Sequence, residues 1–264
     1  MQEITSVNND LVKETVKLQQ KKYRDKENKF LLEGYKCVEE AFNAGLEIEN
    51  VFVLKDKAEH YNFLKDKLIL TTDAVLKKIS TTDSAPDVVA IASKKEYSIK
   101  DLKNAKKVVL LENIKDLGNL GTILRTSVAF GADAVVLFGK ECADLYNPKC
   151  VRSTVGNLWK IPVVYISNFS ELEKVFSNYD RIATLPRATH LLKNCKIGEK
   201  VVVMFGSEAD GLSEDLIKFS TKSVKIEMTK SVESLNLSVS CAVVLYELLD
   251  RKSTRLNSSH VALS

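Results

Sequence analysis

The chain has 264 residues, of which 45% are hydrophobic and 28% are charged, a balance typical of a globular protein with a substantial core. No stretch is long and apolar enough to cross a bilayer, and residues 1–14 lack the apolar centre of a signal peptide. The five cysteines are scattered and never spaced as CxxC. This favours reduced thiols in a cytoplasmic protein over a zinc site or a disulfide framework.

The net charge of +4 is unevenly distributed along the chain. Residues 11–29 hold seven Lys and Arg against three acidic residues, and residues 251–264 hold three basic residues and no acidic one. Clustered positive charge attracts a polyanion, so residues 11–29 either bind phosphates or form a solvated helix face. Residues 251–264 are predicted to be a disordered tail or a remnant of cloning. Basicity of the whole chain is therefore no evidence for a nucleic-acid partner.

The first part of the chain predicts a small α/β domain over residues 1–95. Its expected elements are a helix, a strand and a helix over 13–45, strands over 48–56 and 68–72, a short helix over 61–67, a helix over 73–80 and a strand over 87–94. Gly45 is expected to end the third element, and Asp73 to cap the helix that it begins. The polar residues 96–106 are predicted to be a linker.

A second α/β series over residues 107–250 predicts a larger domain. Strands are expected over 107–112, 134–138, 161–166, 181–185, 201–205 and 223–228. Because these runs are nearly continuous in Val, Ile and Leu and alternate with helices, they predict a parallel sheet covered on both faces. The last helix places five hydrophobic residues on one stripe. They are Leu235, Val239, Ala242, Tyr246 and Leu249.

Ligands of open parallel sheets bind at the carboxyl ends of the strands, and four loops there carry unusual polar residues. Their sequences are DLGNLGTILR, YNPKCVRSTVGN, GSEADGLSEDL and TKSVESLNLSVS. The first has only two glycines, so it lacks the third glycine of a dinucleotide fingerprint, and no GK[ST] follows as in a P-loop. The chain also lacks HExxH and GxSxG, and its three histidines stand alone, which argues against hydrolase chemistry.

Taken together, these loops match a known family. NLGTILRTSVAFGAD, MFGSEADGLSEDL and VESLNLSVSCAVVLYEL, in this order and spacing, resemble the three signature motifs of the SpoU/TrmH RNA ribose methyltransferases of the SPOUT superfamily. The segment NPKCVRSTVG makes the match more specific. KKYRDKENKFLLEGYKCVEEAFNAG resembles the small RNA-binding domain that often precedes the catalytic domain. The resemblance covers nearly all of residues 1–250.

The resemblance implies a SPOUT-type α/β fold whose parallel sheet ends in a C-terminal trefoil knot, an exception to unknotted topology. It implies S-adenosylmethionine (SAM) as the cofactor, no metal, and a homodimer formed by the catalytic domain. The implied reaction transfers the methyl group of SAM to a ribose 2′-hydroxyl of RNA, with 23S-type ribosomal RNA as the expected substrate. Transfer RNA as the substrate, or a non-catalytic RNA-binding or ribosome assembly factor, are the alternatives.

The family's functional residues carry over to positions in each motif. The cofactor is expected to contact Thr184, Gly206, Ile226 and Leu235. Arg125 is the family's proposed base, although arginine, with a pKa above ~12, is better suited to holding a phosphate and a ribose by paired hydrogen bonds. The other expected catalytic residues are Asn119, Glu208, Ser234 and Asn236. The expected RNA-binding residues are Lys21, Lys22, Arg24, Lys149 and Arg152.

Each candidate also has a purely structural interpretation. Asn119 and Ser234 are residue types favoured as helix N-caps. Glu208 is able to complement a helix dipole as a first-turn acid. Arg125 is able to pair with an acid at the edge of the core.

Overall fold

The Val-, Ile- and Leu-rich runs of the sequence form the strands of two separate sheets. The computed structural model describes residues 2–229 and 231–250, except for the side chain of residue 250, so the predicted tail lies outside the described residues. The chain divides into two units, one of residues 1–95 with 144–159 and one of residues 96–143 with those from 160 onward. None of the described helices is long and apolar enough to span a bilayer.

Helices and strands alternate along much of the chain. Up to residue 95 they are β1 (Gln2–Ile4), α1 (Asp10–Lys17), α2 (Lys21–Glu27), β2 (Lys29–Glu33), α3 (Tyr35–Asn43), β3 (Ile48–Leu54), a 3₁₀ segment (Lys55–Lys67), β4 (Leu68–Thr71), α4 (Asp73–Ile79) and β5 (Val88–Ser93). From residue 96 they are a 3₁₀ turn (Ile99–Leu102), β6 (Lys107–Glu112), α5 (Leu117–Ala129), β7 (Ala134–Phe138), α6 (Pro148–Ser153), a 3₁₀ turn (Leu158–Lys160), β8 (Val163–Ile166), α7 (Phe169–Phe176), β9 (Asp180–Thr184), β10 (His190–Leu191), a 3₁₀ turn (Leu192–Asn194), β11 (Val201–Phe205), α8 (Glu214–Phe219), β12 (Lys222–Lys225), α9 (Leu237–Leu245) and a π-helical turn (Tyr246–Asp250).

The sheet of the first unit is mixed and has the strand order β1-β4-β3-β5-β2. β1, β4 and β3 run parallel, whereas β5 is antiparallel to β3 and β2. A core forms where Val12 of α1 and Leu76 of α4 pack with Phe52 and Val89 of the sheet. Each fully buried side chain of this size contributes about 1.5–3 kcal/mol to stability.

The predicted elements of the first unit differ from the structure in four details, the first of which is that the short helix expected over 61–67 is a 3₁₀ segment over Lys55–Lys67. The single helix expected from residue 13 is two helices, because Leu18 turns into the core and the Gln19 amide donates to the backbone carbonyls of residues 78–80. Thr72 is the N-cap of α4, and Asp73 lies in its first turn. The three-residue strand β1 was not predicted. Gly45 ends α3 as expected, with a positive φ of 72°.

The structure corrects the assignment of Arg24 to RNA binding. Its side chain is only 1% exposed. The guanidinium donates to the carboxylate of Asp144 at 2.5 Å and to the carbonyl oxygens of Leu18 and Gln19 at 2.9 and 2.8 Å. Because these acceptors occupy its donors inside the unit, Arg24 stabilises the fold and does not present its charge to a ligand.

Residues 144–159, which the sequence places with the second domain, pack within the first unit. The side chain of Asn147 caps the first turn of α6. The guanidinium of Arg152 donates to the carboxylate of Glu33 at 2.7 Å and to the hydroxyl of Thr81 at 2.6 Å. Since the Glu33 side chain is buried, this ion pair ties α6 to the end of β2.

The seven strands of the second unit form a parallel sheet in the order β10-β12-β9-β11-β6-β7-β8. The six predicted strands are confirmed to within three residues at each end, and only the two-residue β10 was not expected. Residues 96–106 are not a loose linker, because Leu102 and Ala105 are buried against Val108 and Leu110 of this core.

The last helix buries only part of the predicted hydrophobic stripe, since Leu249 is buried and Ala242 is half-buried. Ser238, Cys241 and Val244 are buried, whereas Val239 and Tyr246 of the predicted stripe are 49% and 46% exposed. α9 packs beside α5. Val244 and Leu245 are buried, whereas Val239 and Val243 of α9 are left on the surface of this chain.

We expect Arg24→Ala to destabilise the first unit. The substitution leaves the Asp144 carboxylate and two backbone carbonyls without their donor, and losing one partner of a buried pair costs about 3–5 kcal/mol. Denaturant unfolding followed by circular dichroism measures this loss. The matched control is Lys21→Ala, whose exposed ion pair with Asp25 contributes at most about 1 kcal/mol. Equal stability of the two variants would contradict the structural role of Arg24.

Candidate active site

Three strands of the parallel sheet end side by side at one edge. In the hydrogen-bonding register Met204 of β11 lies opposite Ala183 of β9, and Val224 of β12 lies opposite Thr184. The Thr184 hydroxyl donates to the carbonyl of Met204 at 2.8 Å, which fastens the end of β9 to β11. The loops that follow these strands therefore leave the sheet from adjacent positions.

These loops and the start of α9 enclose a cavity of about 790 Å³. It is lined by residues 184–187, 205–212, 217, 224–226, 228, 234–237, 240 and 244. Cavities of ~300–1,000 Å³ are typical of small-molecule sites. Seven of the nine residues predicted to bind the cofactor or to act in catalysis line this one cavity: Thr184, Gly206, Glu208, Ile226, Ser234, Leu235 and Asn236.

The loop after β11 is closed by a close backbone approach and by hydrogen bonds between its own residues. A Cβ atom on Gly206 would lie 1.9 Å from the carbonyl carbon of Gly211, so no other residue fits there. The backbones of Ser207 and Gly211 exchange two hydrogen bonds of 3.1 Å, and the Ser207 hydroxyl accepts from the amide of Asp210. Glu208 lies in this loop and not in the first turn of α8, which excludes its interpretation as a helix-dipole acid.

A chain of side-chain amides connects three segments that are distant in sequence. Asn236 donates to the Asn119 side-chain oxygen, and Asn119 donates to the carboxylate of Glu208, each at 3.1 Å. The Asn236 side-chain oxygen accepts from the backbone and hydroxyl of Ser238 at 2.8 and 2.6 Å. Both amides are therefore fixed in orientation. Asn119 contacts this site without itself lining the cavity.

The capping interpretations of Asn119 and Ser234 are also excluded. The N-cap of α5 is Asp116, whose carboxylate accepts from the backbone amide of Asn119 at 2.7 Å. The N-cap of α9 is Asn236. Asp116 was not expected to take part, although an acid three residues before Asn119 is a recognisable capping signal. Asn236 combines a capping role with a place on the cavity wall.

Arg125 stands apart from the cavity in this chain. It is exposed on α5 and is not among the described residues that line the cavity. Within residues 2–229 and 231–249 no carboxylate pairs with it, so the interpretation as an ion-paired core-edge arginine fails. Arg125 is thus a free guanidinium near the site and not a part of its wall.

The residues around the cavity carry charges of both signs. Glu208 and Asp210 place exposed carboxylates in the loop after β11. Glu141 raises the pKa of Lys115 through a hydrogen bond and its charge, and Asp210 and Glu208 add to this rise. Two cations, Arg187 and Lys225, also line the cavity. These two cations were not predicted, because no motif marks them in the sequence.

The wall itself offers apolar side chains, hydroxyl groups, amides and backbone groups. Leu185, Ile226 and Leu235 supply apolar surface, and Ser234 and Asn236 supply hydrogen-bonding groups. Among the described residues there is no cluster of three His, Cys, Asp or Glu that could hold a metal ion. The arrangement suits an organic ligand with a flat apolar part and polar ends.

The predicted RNA-binding residues lie in the first unit and differ in their exposure and in whether their charge is already paired. Lys22 and Lys149 are exposed, and the Lys22 ammonium lies 4.7 Å from the centre of the Tyr23 ring. Lys21 makes an exposed ion pair with Asp25 at 2.6 Å. Arg152 is occupied by its bonds to β2 and the loop after α4, and Arg24 is buried.

Two family profiles match nearly the whole chain. The profile of the SpoU rRNA Methylase family matches residues 106–246, and that of an MRM3-like substrate binding domain matches residues 9–90. An uncharacterized tRNA/rRNA methyltransferase of Synechocystis is 33% identical over 92% of this chain and 92% of its own length. The 23S rRNA (guanosine(2553)-2′-O)-methyltransferase RlmP of Bacillus subtilis is 31% identical over 94% of this chain and 99% of its own length.

A solved structure extends the similarity to the fold. The AdoMet-bound rRNA methyltransferase from Sinorhizobium meliloti superposes with a TM-score of 0.85 and 26% sequence identity, over 96% of this chain and 98% of that protein. Agreement over both units confirms the predicted SPOUT-type α/β fold preceded by a small domain. AdoMet, another abbreviation for SAM, is the ligand of that relative.

We expect Gly206→Ala to open the loop after β11. The added Cβ collides with backbone atoms of residues 211 and 212 that no side-chain rotation can move away, and overpacking of this kind costs about 1–3 kcal/mol. Thermal unfolding should show a lower melting temperature. Gly198→Ala is the matched control, because its Cβ would lie 3.2 Å from a side-chain oxygen of Asp180. An unchanged melting temperature for Gly206→Ala would contradict the observed closure of the loop.

Proposed function

The chain belongs to the SpoU rRNA methylase family, and we propose from this premise that it transfers a methyl group from SAM to a ribose 2′-hydroxyl of 23S-type ribosomal RNA. One observation carries the proposal. Residues of the second and third signature motifs line one cavity at the carboxyl ends of β9, β11 and β12, and Asn119 of the first motif is hydrogen-bonded to Glu208 and Asn236 of its lining. The similarity to a 23S rRNA 2′-O-methyltransferase over 94% of the chain supports the choice of substrate.

The cavity fits the cofactor in size and chemistry. Leu185, Ile226 and Leu235 suit the faces of an adenine ring, and backbone groups of the three loops suit its polar edge. Glu208 and Asp210 favour a positively charged ligand by Coulomb attraction. When bound, SAM supplies a methyl group activated by a positively charged sulfur, so the chain itself needs no metal to activate that carbon.

The protein's own task is to hold the ribose hydroxyl in line with the methyl group. The side chains of Ser234 and Asn236 are the polar groups of the α9 side of the cavity, and the bond from Asn236 to Asn119 fixes the amide. Glu208 fixes Asn119 in turn. Holding two reacting groups in a defined orientation removes several kcal/mol from a barrier. We assign these four residues to positioning the substrate.

Arg125 is the residue that we assign to the reacting ribose and its phosphate. Its guanidinium is exposed and unpaired among the described residues, and it can form two parallel hydrogen bonds to a phosphate. A phosphate held in this way keeps the hydroxyl close, and the positive charge of the guanidinium lowers the cost of losing the hydroxyl proton, which passes to water as the methyl group is transferred. This role requires a charged guanidinium and does not require arginine to act as a free base.

The first unit is proposed to be the RNA-binding domain. Its match to a substrate binding domain supports this assignment, and Lys22 and Lys149 are exposed cations suited to phosphates. Lys21 contributes once its exposed pair with Asp25 opens. We propose domains over residues 1–95 and 107–250, with residues 144–159 packed in the first unit. A ribosomal RNA substrate implies that the enzyme works in the cytoplasm.

A homodimer formed through α9 is the proposed assembly. Val239, Val243 and Tyr246 are exposed apolar residues along one side of the helix, and the ring centre of Phe130, the residue that follows α5, lies 5.8 Å from that of Tyr246. Contiguous exposed apolar surface of this kind marks an interaction site. A second copy of the chain has the same apolar surface and would bury it by self-complementary packing.

The proposed reaction predicts transfer of labelled methyl from SAM to unmodified 23S rRNA, leaving an alkali-resistant dinucleotide at the modified position. Arg125→Ala should lower the rate by about 10²-fold or more, a typical share for one proton-transfer or positioning group. Calorimetry should show unchanged SAM affinity, because Arg125 does not line the cavity.

Lys218→Ala is the control for the loss of an exposed cation, since Lys218 pairs with Glu214 on α8. Wild-type turnover in Arg125→Ala would remove this residue from the mechanism. Dominant labelling of transfer RNA would overturn the choice of ribosomal RNA. Absence of both SAM binding and transfer would favour a non-catalytic assembly factor.

The proposed dimer predicts that Val239→Glu converts a dimer to a monomer. Light scattering after size-exclusion chromatography should give twice the chain mass for the wild type and the chain mass for the variant, because a buried unpaired carboxylate opposes packing. Val7→Glu is the control, since Val7 is an exposed valine of the first unit. A monomeric wild type would contradict the proposal.

A further inference from the structure

The cavity is lined by two cations that have no role in the proposed transfer chemistry. Arg187 lies in the loop after β9 and is exposed, and Lys225 ends β12 and is half-buried. No carboxylate among the described residues pairs with either of them. Cations left without an acidic partner at the edge of a binding cavity are available for an anionic group of a ligand.

The same edge of the sheet carries further positive charge. β10 runs beside β12, with His190 opposite Val224 and Leu191 opposite Lys225. Residues 187–200 and 222–229 together hold six Lys and Arg against two acidic residues. Glu227 and Asp180 pair with Lys193 and Lys222, at 2.5 and 3.5 Å. Arg187, Lys196 and Lys225 keep their charge without such a partner among the described residues.

We propose that Arg187 and Lys225 bind backbone phosphates of the RNA on either side of the target ribose, and that the β10–β12 edge continues this phosphate track away from the cavity. The inference rests on the proposed function. An arginine binds a phosphate through two parallel hydrogen bonds, and a lysine binds it as a point charge. The ribose enters the cavity while its charged neighbours stay at the rim.

The extent of the positive edge favours a polyanion over the single carboxylate at the amino-acid end of the cofactor. One carboxylate is satisfied by one cation, whereas three cations of this edge, Arg187, Lys196 and Lys225, have no acidic partner among the described residues. Clustered cations bind nucleic acid with an affinity that falls steeply with salt, since each phosphate contact releases counterions.

The test measures the affinity of the full-length protein for an unmodified 23S rRNA transcript at several salt concentrations. Retention of the RNA on a filter reports the binding. Each lost phosphate contact lowers the slope of log affinity against log salt by about 1. Arg187→Gln with Lys225→Gln should therefore lower the slope by about 2 and raise the KM for RNA, with the affinity for SAM unchanged. Arg187→Lys should retain most of the slope because it keeps the charge.

Lys218→Gln is the matched control, as it removes an exposed cation of α8 that is paired with Glu214. Circular dichroism checks that the variants are folded. An unchanged slope in the double variant would overturn the inference even if methyl transfer by the wild type is intact. A lower SAM affinity with an unchanged slope would assign the two cations to the cofactor carboxylate instead. If the wild type does not methylate RNA but the double variant still has a reduced slope, the proposed function is wrong. The phosphate contacts of the two cations would still be supported.

Discussion

The side-chain amide of Asn119 is the interaction on which the site depends. It accepts from Asn236 and donates to Glu208, so it connects the start of α5 with the loop after β11 and the start of α9. A carboxylate in its place would repel Glu208 and lose the donor, and an aliphatic residue would lose both bonds. The separation of these three residues along the chain explains why three short motifs must be present together.

The parallel sheet makes this connection possible, and its strands were predictable because strands buried on both faces read as continuous runs of Val, Ile and Leu. β6, β9 and β11 begin and end within one residue of the expected positions. The resemblance of the motifs to a known family predicted seven of the cavity residues, which lie at strand ends, in the loops that follow the strands or ahead of α9. β1 and β10 were missed because strands of three and two residues carry no periodicity.

Charge and burial were harder to predict, as Arg24 and α9 illustrate. The sequence places Arg24 among lysines, and nothing local indicates that Asp144, 120 residues later, supplies its buried partner. On α9 the periodicity identifies an amphipathic helix but not which face meets α5. Ser238 and Cys241 are buried together with Val244 and Leu245. Val239, Val243 and Tyr246 are left exposed in the single chain.

Charges and neutral groups occupy different parts of the site, and this division follows from the chemistry of the substrate. The lining residues 234–237 are uncharged, and the carboxylates of Glu208 and Asp210 repel any phosphate that approaches the loop after β11. The cations Arg187 and Lys225 also line the cavity, and in the proposed complex they attract the phosphates. A strand of RNA lowers its electrostatic energy by keeping its phosphates at the basic edge, so the part that reaches the carboxylate side of the cavity is the neutral ribose. The same field that binds the polymer therefore selects which of its groups meets the methyl donor.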